Sequence, residues 1–473
     1  MAAVAANKRR QRSTDGIASF PDDVLLEVFF RVGNVKDLFR LAVTCRRWLR
    51  RFTDPAFLRQ LCPGHGEGHR ARLLGFFFQQ TRFVLPHGKT DKLVKIWRRI
   101  VQHTSVSAPT FLPAPGSPLG TPTTDQRALT AFVADDGGAF NNAEPLAARR
   151  GIVLMRLVPR TFDDLKKMAR ATSHFLGICN PVTGERHVLP PLECPDHGRC
   201  DSFAIITAAD SAIDGEQTPA AGRFKFSQLL LITITTQIES NVDDEVYLHS
   251  YSADTRSWST PTMCLDGSRF SMAGERSAVV HRGAAHWLCI DIDPPCPPRG
   301  GDDDEYLLYK LSARVGNATG IVHTSLTRIP IRRGGSPLLF ISRDGKLSVA
   351  CVRLLHVAVW TQQGGEGGGD DTAVTWLRTT AIRMPMAGPN PPLCGKCTWL
   401  DFNGGSMLVL PPSGGVFVFD LEKKVMEKVM DCLLPQKFSS ERNPFVPERS
   451  GTWVAYEMDL VEFFMLQLGG LRR

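Results

Sequence analysis

The sequence predicts an α+β multidomain protein, in which a small N-terminal module of three helices precedes a large mainly-β domain built as a degenerate β-propeller. Three observations carry this reading. Helix signals are dense between Ser19 and Leu61. From about Gly151 the chain changes to short β-type runs broken by polar turns. Those runs recur as hairpins at irregular intervals of roughly 40 to 70 residues.

The chain has 473 residues, 43% hydrophobic and 22% charged, which is ordinary globular material with room for two or more domains. It holds no run of about 18 uninterrupted apolar residues, and the basic "NKRRQR" near its start is followed by no apolar stretch, so neither a membrane span nor a secretory leader is expected. The net charge of +8 is mild for this length and does not by itself argue for nucleic acid. Its distribution says more. Arg31, Lys36, Arg40, Arg46, Arg47, Arg50, Arg51 and Arg59 crowd a stretch whose only acids are Asp37 and Asp54, a surface suited to an acidic partner or to a plain solvated helix face.

Residues 1–16 read as a disordered basic tail. The first helix is expected from Ser19 three residues before Asp22, from Pro21 at its start, and from Asp22 and Asp23 where the macrodipole favours acids; Gly33 stops it. Asn34 is placed to cap the second helix, with Asp37 three residues on. Asp54 and Pro55 open the third, "DPAFLRQL", and Pro63-Gly64 ends it. On a wheel of about 100° per residue, Val24, Leu25, Val28, Phe29 and Val32 share one arc of the first helix, while Leu26 and Phe30 fall on the other side. The second helix places Leu38, Leu41, Ala42, Cys45 and Leu49 in one stripe with Trp48 at its edge, and Phe39 and Val43 in another. Helices apolar nearly all round must be covered nearly all round, and about 40 residues are at the lower limit for independent folding. Covering six or so large side chains yields on the order of 10 kcal/mol before ordering costs. The cover is either a separate polypeptide, which the arginines favour, or the protein's own β domain.

Residues 63–124 read as a connecting segment. It holds "LLGFFFQQTRFVLP" and then a proline-rich stretch with Pro109, Pro113, Pro115, Pro118 and Pro122, which is either a linker or an irregular first strand. Residues 125–473 form the β-rich domain. Hairpins are read with turns at Asn180 to Gly184, Ala253 to Thr255, Arg282-Gly283 and Asp344-Gly345, and "MLVLPPSGGVFVFDLEKKVMEKV" holds two turns and three strands. Loops such as "DPPCPPRGGDDDE" and "QQGGEGGGDD" are too rich in Pro, Gly and Asp to pack inside. About six or seven blades are expected, with a stacked pair of sandwiches as the alternative. The C-terminal "YEMDLVEFFMLQLGGL" mixes β-type and helical spacing. It closes the ring by pairing with an early strand or packs as a terminal helix, and closure is the favoured reading.

No catalytic signature is present: no GxSxG elbow, no HExxH, no P-loop and no GxGxxG leading into a helix. The acid clusters Asp243 to Glu245 and Asp302 to Glu305 read as solvated turns, and Cys179 as a buried thiol. The twelve cysteines read as reduced. "CPDHGRC" (Cys194, His197, Cys200) and "CGKC" (Cys394, Cys397) offer residue types that bind zinc, but these ligands lie far apart and only one pair has the usual gap, so they read as incidental loop cysteines. No enzyme activity, cofactor or metal is expected. Without an alternation of basic and aromatic residues, nucleic-acid binding is not expected either.

Phe20 to Leu61 resembles the F-box, the helical module by which substrate receptors dock onto the Skp-type adaptor of cullin-based ubiquitin ligases. The matching pieces are "FPDDVLLEVFFRV", "VKDLFRLAVTCRRW" and "DPAFLRQL", in the family's order and spacing. Family members usually show Leu-Pro where this chain has Phe20-Pro21, and a second Leu-Pro near Val32-Gly33, where the proline is absent. The remainder is similar to the β-rich associated domains of the large F-box families of grasses in "LLGFFFQ", "GICNPVTGERHVLPPL" and "AVVHRGAAHWLCI", and those domains resemble kelch-like propellers.

The resemblance implies an F-box over residues 17–62 whose adaptor-facing positions are Pro21, Leu25, Val28, Phe29, Leu38, Val43, Cys45 and Trp48. Pro21 would set the chain direction, Leu25, Val28 and Leu38 would supply buried area, and Trp48 would be the large anchor. It further implies a substrate receptor, cytoplasmic or nuclear, bound through the adaptor to cullin and holding a target protein on its β domain. The target and the residues that bind it are unknown from sequence, though the inserts around Pro294 to Glu305 and Gln363 to Asp371 are candidate edges of a binding surface. The alternatives are a scaffold that binds the adaptor without ubiquitin transfer and a nuclear protein associated with nucleic acid.

Overall fold

The computed structural model describes residues 20–32, 35–62, 72–80, 110–114, 140, 143–157, 173–194, 199–211, 226–235, 245–266, 269–273, 278–291, 307–316, 321–332, 336–353, 356–363, 375–383, 398–402, 406–410, 416–430 and 451–469. The N-terminal module holds four helices rather than three: α1 (Asp22–Phe30), α2 (Val35–Ala42), α3 (Arg46–Arg51) and α4 (Pro55–Leu61). The expected second helix is broken at the β-branched pair Val43-Thr44. There the backbone closes with tight bonds from Val43 N to Arg40 O and from Thr44 N to Leu41 O, and the Thr44 hydroxyl also bonds Leu41 O. Cys45 is then extended, and its sulfur accepts from Trp48 N at 3.4 Å, so a new helix starts. Asp54 caps α4 through Ala56 N at 2.9 Å with Pro55 in the first turn, as read from sequence. Pro21 begins α1 without a side-chain cap; Ser19, Gly33 and Asn34 lie outside the described residues.

Among the described residues the β domain is a propeller-like ring of five blades, each an antiparallel sheet of four or five strands. The first holds β3 (Glu144–Arg149), β4 (Ile152–Arg156), β6 (Leu176–Cys179) and β7 (Arg186–Val188), with β5 (Ser173–His174) and β8 (Leu192–Glu193) paired beside it. The second holds β9 (Arg199–Thr207), β10 (Phe226–Thr235), β11 (Glu245–Ser252), β12 (Ser257–Trp258) and β13 (Thr262–Asp266), and a turn of helix, α5 (Ala208–Ser211), follows β9. In the third, β14 (Phe270–Ala273) and β15 (Val279–His281) both pair with β16 (Ala284–Asp291), followed by β17 (Leu307–Val315) and β18 (Val322–Arg332). The fourth is β19 (Ser336–Ile341), β20 (Leu347–Arg353), β21 (His356–Gln363) and β22 (Thr375–Arg383); the fifth is β23 (Thr398–Phe402), β24 (Ser406–Leu410), β25 (Val416–Asp420) and β26 (Val425–Met430). Five blades correct the expected six or seven. The remaining sheet, β2 (Thr110–Pro113), β1 (Arg72–Gln80) and β27 (Gly451–Met458), has three strands drawn from the two ends of the chain.

Why β10, β16 and β20 bury apolar side chains on both faces follows from the blades on either side. A strand sends alternate side chains to opposite faces, and a blade is covered on both faces. On β10, Leu229 and Leu231 pack toward the first blade, while Leu230 and Ile232 pack toward the third. On β16, Ala285, Trp287 and Cys289 face the second blade, and Leu288 and Ile290 face the fourth. On β20, Val349 and Cys351 face the third, and Ala350 and Val352 the fifth. Polar links join the same pairs. Lys310 Nζ donates to Gln362 Oε1 at 3.0 Å between blades three and four, and Arg343 pairs with Glu422 between four and five. Arg149 on β3 donates to Asp210 of α5 at 2.8 Å. Burial alone would raise the Asp210 carboxyl, but Arg149, Arg150 and the Thr207 amide overcome it and bring it down to about 2.

The expected hairpins are present, including the one at Arg282-Gly283, where both central residues have positive φ (48° and 73°), the twist a two-residue hairpin needs. The proline-rich stretch supplies a strand: β2 lies at the edge of its sheet, where Pro113 withholds no ladder bond from a second neighbour. The two readings of the C-terminus both hold. β27 pairs with β1 along its length, and the chain then turns into helix α6 (Leu460–Gly469), started by Asp459 accepting from Glu462 N at 3.0 Å.

Candidate docking surface

The helical module is built around Phe29. Its ring meets Trp48 edge-on at 5.3 Å, Phe52 at 5.0 Å and Phe57 at 6.2 Å, which fixes α1 against α3 and α4. Leu25, Val35, Leu38, Ala42, Leu58 and Leu61 fill the same interior. The face left over is then divided. One side is covered by the chain itself: Phe39 lies against Phe463 and Phe464 of α6 at 6.0 and 6.3 Å, and Phe52 against Phe464 at 5.2 Å. That core continues without a break into Leu74, Phe77 and Phe111 of the closing sheet, Val454, Tyr456 and Met458 of β27, and Val153 and Met155 of the first blade. So the protein's own β domain shields part of what the sequence reading left to a separate polypeptide.

Other apolar side chains of the module stay exposed, in more than one direction around α1: Phe20 is 43% exposed, Val24 41%, Val28 50%, Phe30 66% and Val43 49%. Of the eight positions the F-box resemblance placed against an adaptor, Pro21, Val28, Val43 and Cys45 are exposed, Trp48 is half-buried, and Leu25, Phe29 and Leu38 are inside the module. Phe20, Val24 and Phe30 were not among those positions. Val24 carried a usable signal, since it precedes Val28 by one turn. Phe30 carried one too, since the helical wheel sets it away from the arc that holds Leu25 and Phe29.

Charge is more self-contained here than composition suggested. Arg31 pairs with Glu27 at 2.8 Å and Arg40 with Asp37 at 3.5 Å. Asp22 at the start of α1 receives both Arg47, at 3.8 Å, and Arg51, and Arg47 also donates to the carbonyl of Phe20. These bonds tie the start of α1 to α3. Partial burial and then Arg40 lower the Lys36 ammonium below its usual range. Exposed pairs of this kind are worth about 0 to 1 kcal/mol each, so they orient the module more than they stabilise it.

Elsewhere the candidate chemistry stays inert or uncoordinated. Burial pushes the Cys179 thiol up to about 12, which leaves it protonated. Glu245 accepts from the Tyr247 hydroxyl at 2.6 Å; Asp243, Asp244 and Asp302 to Glu305 lie outside the described residues. His197, Cys394, Cys397 and most of the two candidate loop inserts also lie outside them. Among the described residues no group of three or more His, Cys, Asp or Glu side chains could hold a metal ion, and no helix is long and apolar enough to cross a membrane.

Residues 17–63 match the family model described as F-box-like, and residues 119–404 match the one described as Domain of unknown function (DUF7595). Among curated proteins none matches. Two solved structures share part of the chain. An oligogalacturonate lyase in complex with manganese is 11% identical, over 55% of this chain and 62% of that one, with a TM-score of 0.30. The exo-β-1,3-galactanase 1,3Gal43A from Clostridium thermocellum is 12% identical, over 67% of this chain and 64% of that one, with a TM-score of 0.22. The chain spans less than two thirds of the length of either. Likenesses this distant say nothing about its activity.

Proposed function

From a chain that belongs to the DUF7595 family and carries an F-box-like module ahead of its five-bladed ring, we propose a substrate-receptor subunit of a Skp-cullin-F-box type ubiquitin ligase. The observation that carries this reading is the exposure of Phe20, Val24, Val28, Phe30 and Val43 on a module whose buried apolar side chains are packed against the chain itself. A partner that covers these side chains would recover apolar area that the chain leaves in water, while Phe39 and Phe52 are covered by its own C-terminal helix. The Skp-type adaptor is that partner, with cullin bound beyond it, in the cytoplasm or nucleus. The ring holds a target protein and does no bond chemistry. Its contribution is proximity, which raises the effective concentration of target lysines at an active site supplied by another subunit. Four of the arginines that suggested nucleic acid are paired with carboxylates inside the module, which favours the receptor reading over that alternative.

The test separates surface from interior. Val28→Asp combined with Val43→Asp places two charges on exposed positions without touching the Phe29 core, and should weaken the complex with a co-expressed adaptor by at least about 100-fold, some 2.8 kcal/mol, with an unchanged melting midpoint. Leu25→Asp is expected to unfold the module instead, because Leu25 is buried. A wild-type chain that forms no complex with the adaptor, or a folded double variant that binds as well as wild type, would sink the proposal.

A further inference from the structure

Blade three ends in the longest strand among the described residues. β18 runs over 11 residues, Val322 to Arg332, and pairs with β17 along one edge. No strand among the described residues pairs with its other edge, where alternate amides and carbonyls point outward. The neighbouring β17 is still inside, with Leu311 and Ala313 fully buried. On β18, by contrast, His323, Thr324, Ser325 and Leu326 are exposed one after another, on both faces of the strand. Leu326 is 38% exposed, and Ile321, just ahead of the strand, 57%. This stretch of β18 therefore stands clear of the cores that cover the rest of its blade.

Charge is one-sided here. From Leu307 to Arg332 the chain carries Lys310, Arg314, Arg328 and Arg332 and no Asp or Glu. Lys310 is turned inward onto Gln362 at 3.0 Å. Arg314 is exposed and donates to the carbonyl of Arg282 at 3.2 Å. Arg328 is exposed as well, and neither arginine has a carboxylate partner among the described residues. The two lie on opposite faces of the sheet: Arg314 shares a row with His323, while Arg328 follows Leu326 by two residues on the other face. The outer strands of the next two blades differ. On β22, Arg378 lies over the Trp360 ring at 5.7 Å, and on β26, Glu427 sits beside Lys428.

An occupant of this edge has to match both its ladder and its charge. A second copy of the same edge would set cations against cations, which opposes pairing. Nucleic acid would answer the charge but offers no peptide ladder. We propose that the outer edge of β18 takes an extended acidic segment of the target protein, added as a further strand to blade three, with acidic side chains beside His323 and Arg314 on one face and apolar ones beside Leu326 on the other. The inference rests on the receptor reading, to which it adds the place and the chemical class of the target.

The probe is a fluorescent peptide of about ten residues, alternating valine and glutamate, whose anisotropy is followed on the full-length protein without adaptor. It should bind, and weaken about tenfold or more in the variant with Arg314→Glu and Arg328→Glu, two changes at exposed side chains that leave the melting midpoint unchanged. Ser325→Pro and Leu326→Pro test the ladder. Successive residues of an edge strand turn their amides inward and outward in alternation, so one of the two variants keeps its bonds to β17 and its melting midpoint, and that one should lose the peptide. A peptide alternating proline and glutamate carries the same charge without the ladder and should not bind. Equal binding of that peptide, or of an oligouridylate of the same charge, would show a plain polyanion surface and overturn the proposal. So would binding that begins only once Asp302, Asp303, Asp304 and Glu305 are changed to their amides, since the chain's own acids would then hold the edge. No binding of the valine–glutamate peptide would overturn it too, yet would leave the adaptor complex through Val28 and Val43 untouched, so the two readings fail separately.

Discussion

The His249 imidazole is buried on β11 within 2.9 Å of the Thr233 hydroxyl, and burial together with the charge of His174 carries it down to about 4. An unfolded histidine titrates near 6.5. Between those values the unfolded chain binds a proton that the native chain refuses, so stability falls as pH drops from about 6.5 to about 4, and is unaffected by this group above that window. Asp210 adds a second window with its own sign. Its native value of about 2 is depressed below the unfolded carboxylate, so its contribution is present above about 4 and lost as pH falls through 2. The first loss should be on the order of 2 to 3 kcal/mol. Urea titrations of the native protein and of His249→Gln at pH 7, 5.5 and 4.5, about the values that bracket the first window, check this. Stability should decline with acid in the native protein and stay flatter in the variant, and parallel declines would show that another group is responsible. Nothing in "VYLHSYS" distinguishes this histidine from a solvent-facing one. Its burial comes from the second blade being covered on both faces, a fact about neighbours distant in sequence.

At the scale of elements, turns were the most legible feature and helix continuity the least. The hairpins at Asn180 to Gly184, Asp344-Gly345 and Arg282-Gly283 announce themselves by residues suited to positive φ between apolar runs. The break between α2 and α3 does not, because the apolar stripe from Leu38 to Leu49 runs across it in phase; what breaks the helix is local, the Thr44 hydroxyl bonding backward and Cys45 capping forward. The hairpin at Arg150-Gly151 also went unread, although it is the most constrained of the set. Gly151 has φ +80°, and a side chain there would run into the Met458 methyl and lie 3.6 Å from the Tyr456 hydroxyl. Gly345 has φ +76° but opens onto empty space. Alanine at Gly345 should therefore cost about 1 kcal/mol from backbone strain alone, and alanine at Gly151 about 2 kcal/mol or more, because the first blade must also be pushed off β27. Chemical denaturation of the two variants side by side measures the difference. Equal costs would mean that Met458 moves aside freely and that the contact between the hairpin and the closing sheet is slack.

For the whole molecule, a helical module followed by a propeller-like domain could be read from the sequence because each half has its own periodicity. How the two are joined could not, since the joint is made by pieces nearly 400 residues apart. β27 closes a sheet with β1, and α6 then lies on the helical module with Leu460, Val461, Phe463, Phe464, Leu466 and Leu468 all buried. Six such side chains at about 1.5 to 3 kcal/mol each contribute on the order of 10 kcal/mol before ordering costs, comparable to the whole stability of a small domain. The helical module is thus the seat of a core whose other half is supplied by a segment far along the chain. A chain ending at Asp459 should keep the ring, whose blades are covered by one another, and lose the module, whose Phe39 and Phe52 would face water. Hydrogen exchange on the truncated protein should show residues 22–61 unprotected while β10, β16 and β20 stay protected, with loss of adaptor binding as severe as that of the Val28 and Val43 double variant. A variant with Phe463→Ala and Phe464→Ala should show the same pattern more mildly. If the truncated chain instead protects α1 to α4 and still binds the adaptor, the module stands alone and α6 is only an ornament on it. If it does not, the helical module is held rigidly to the ring, and its distance from the blades is set by the packing of Phe464 against Phe52.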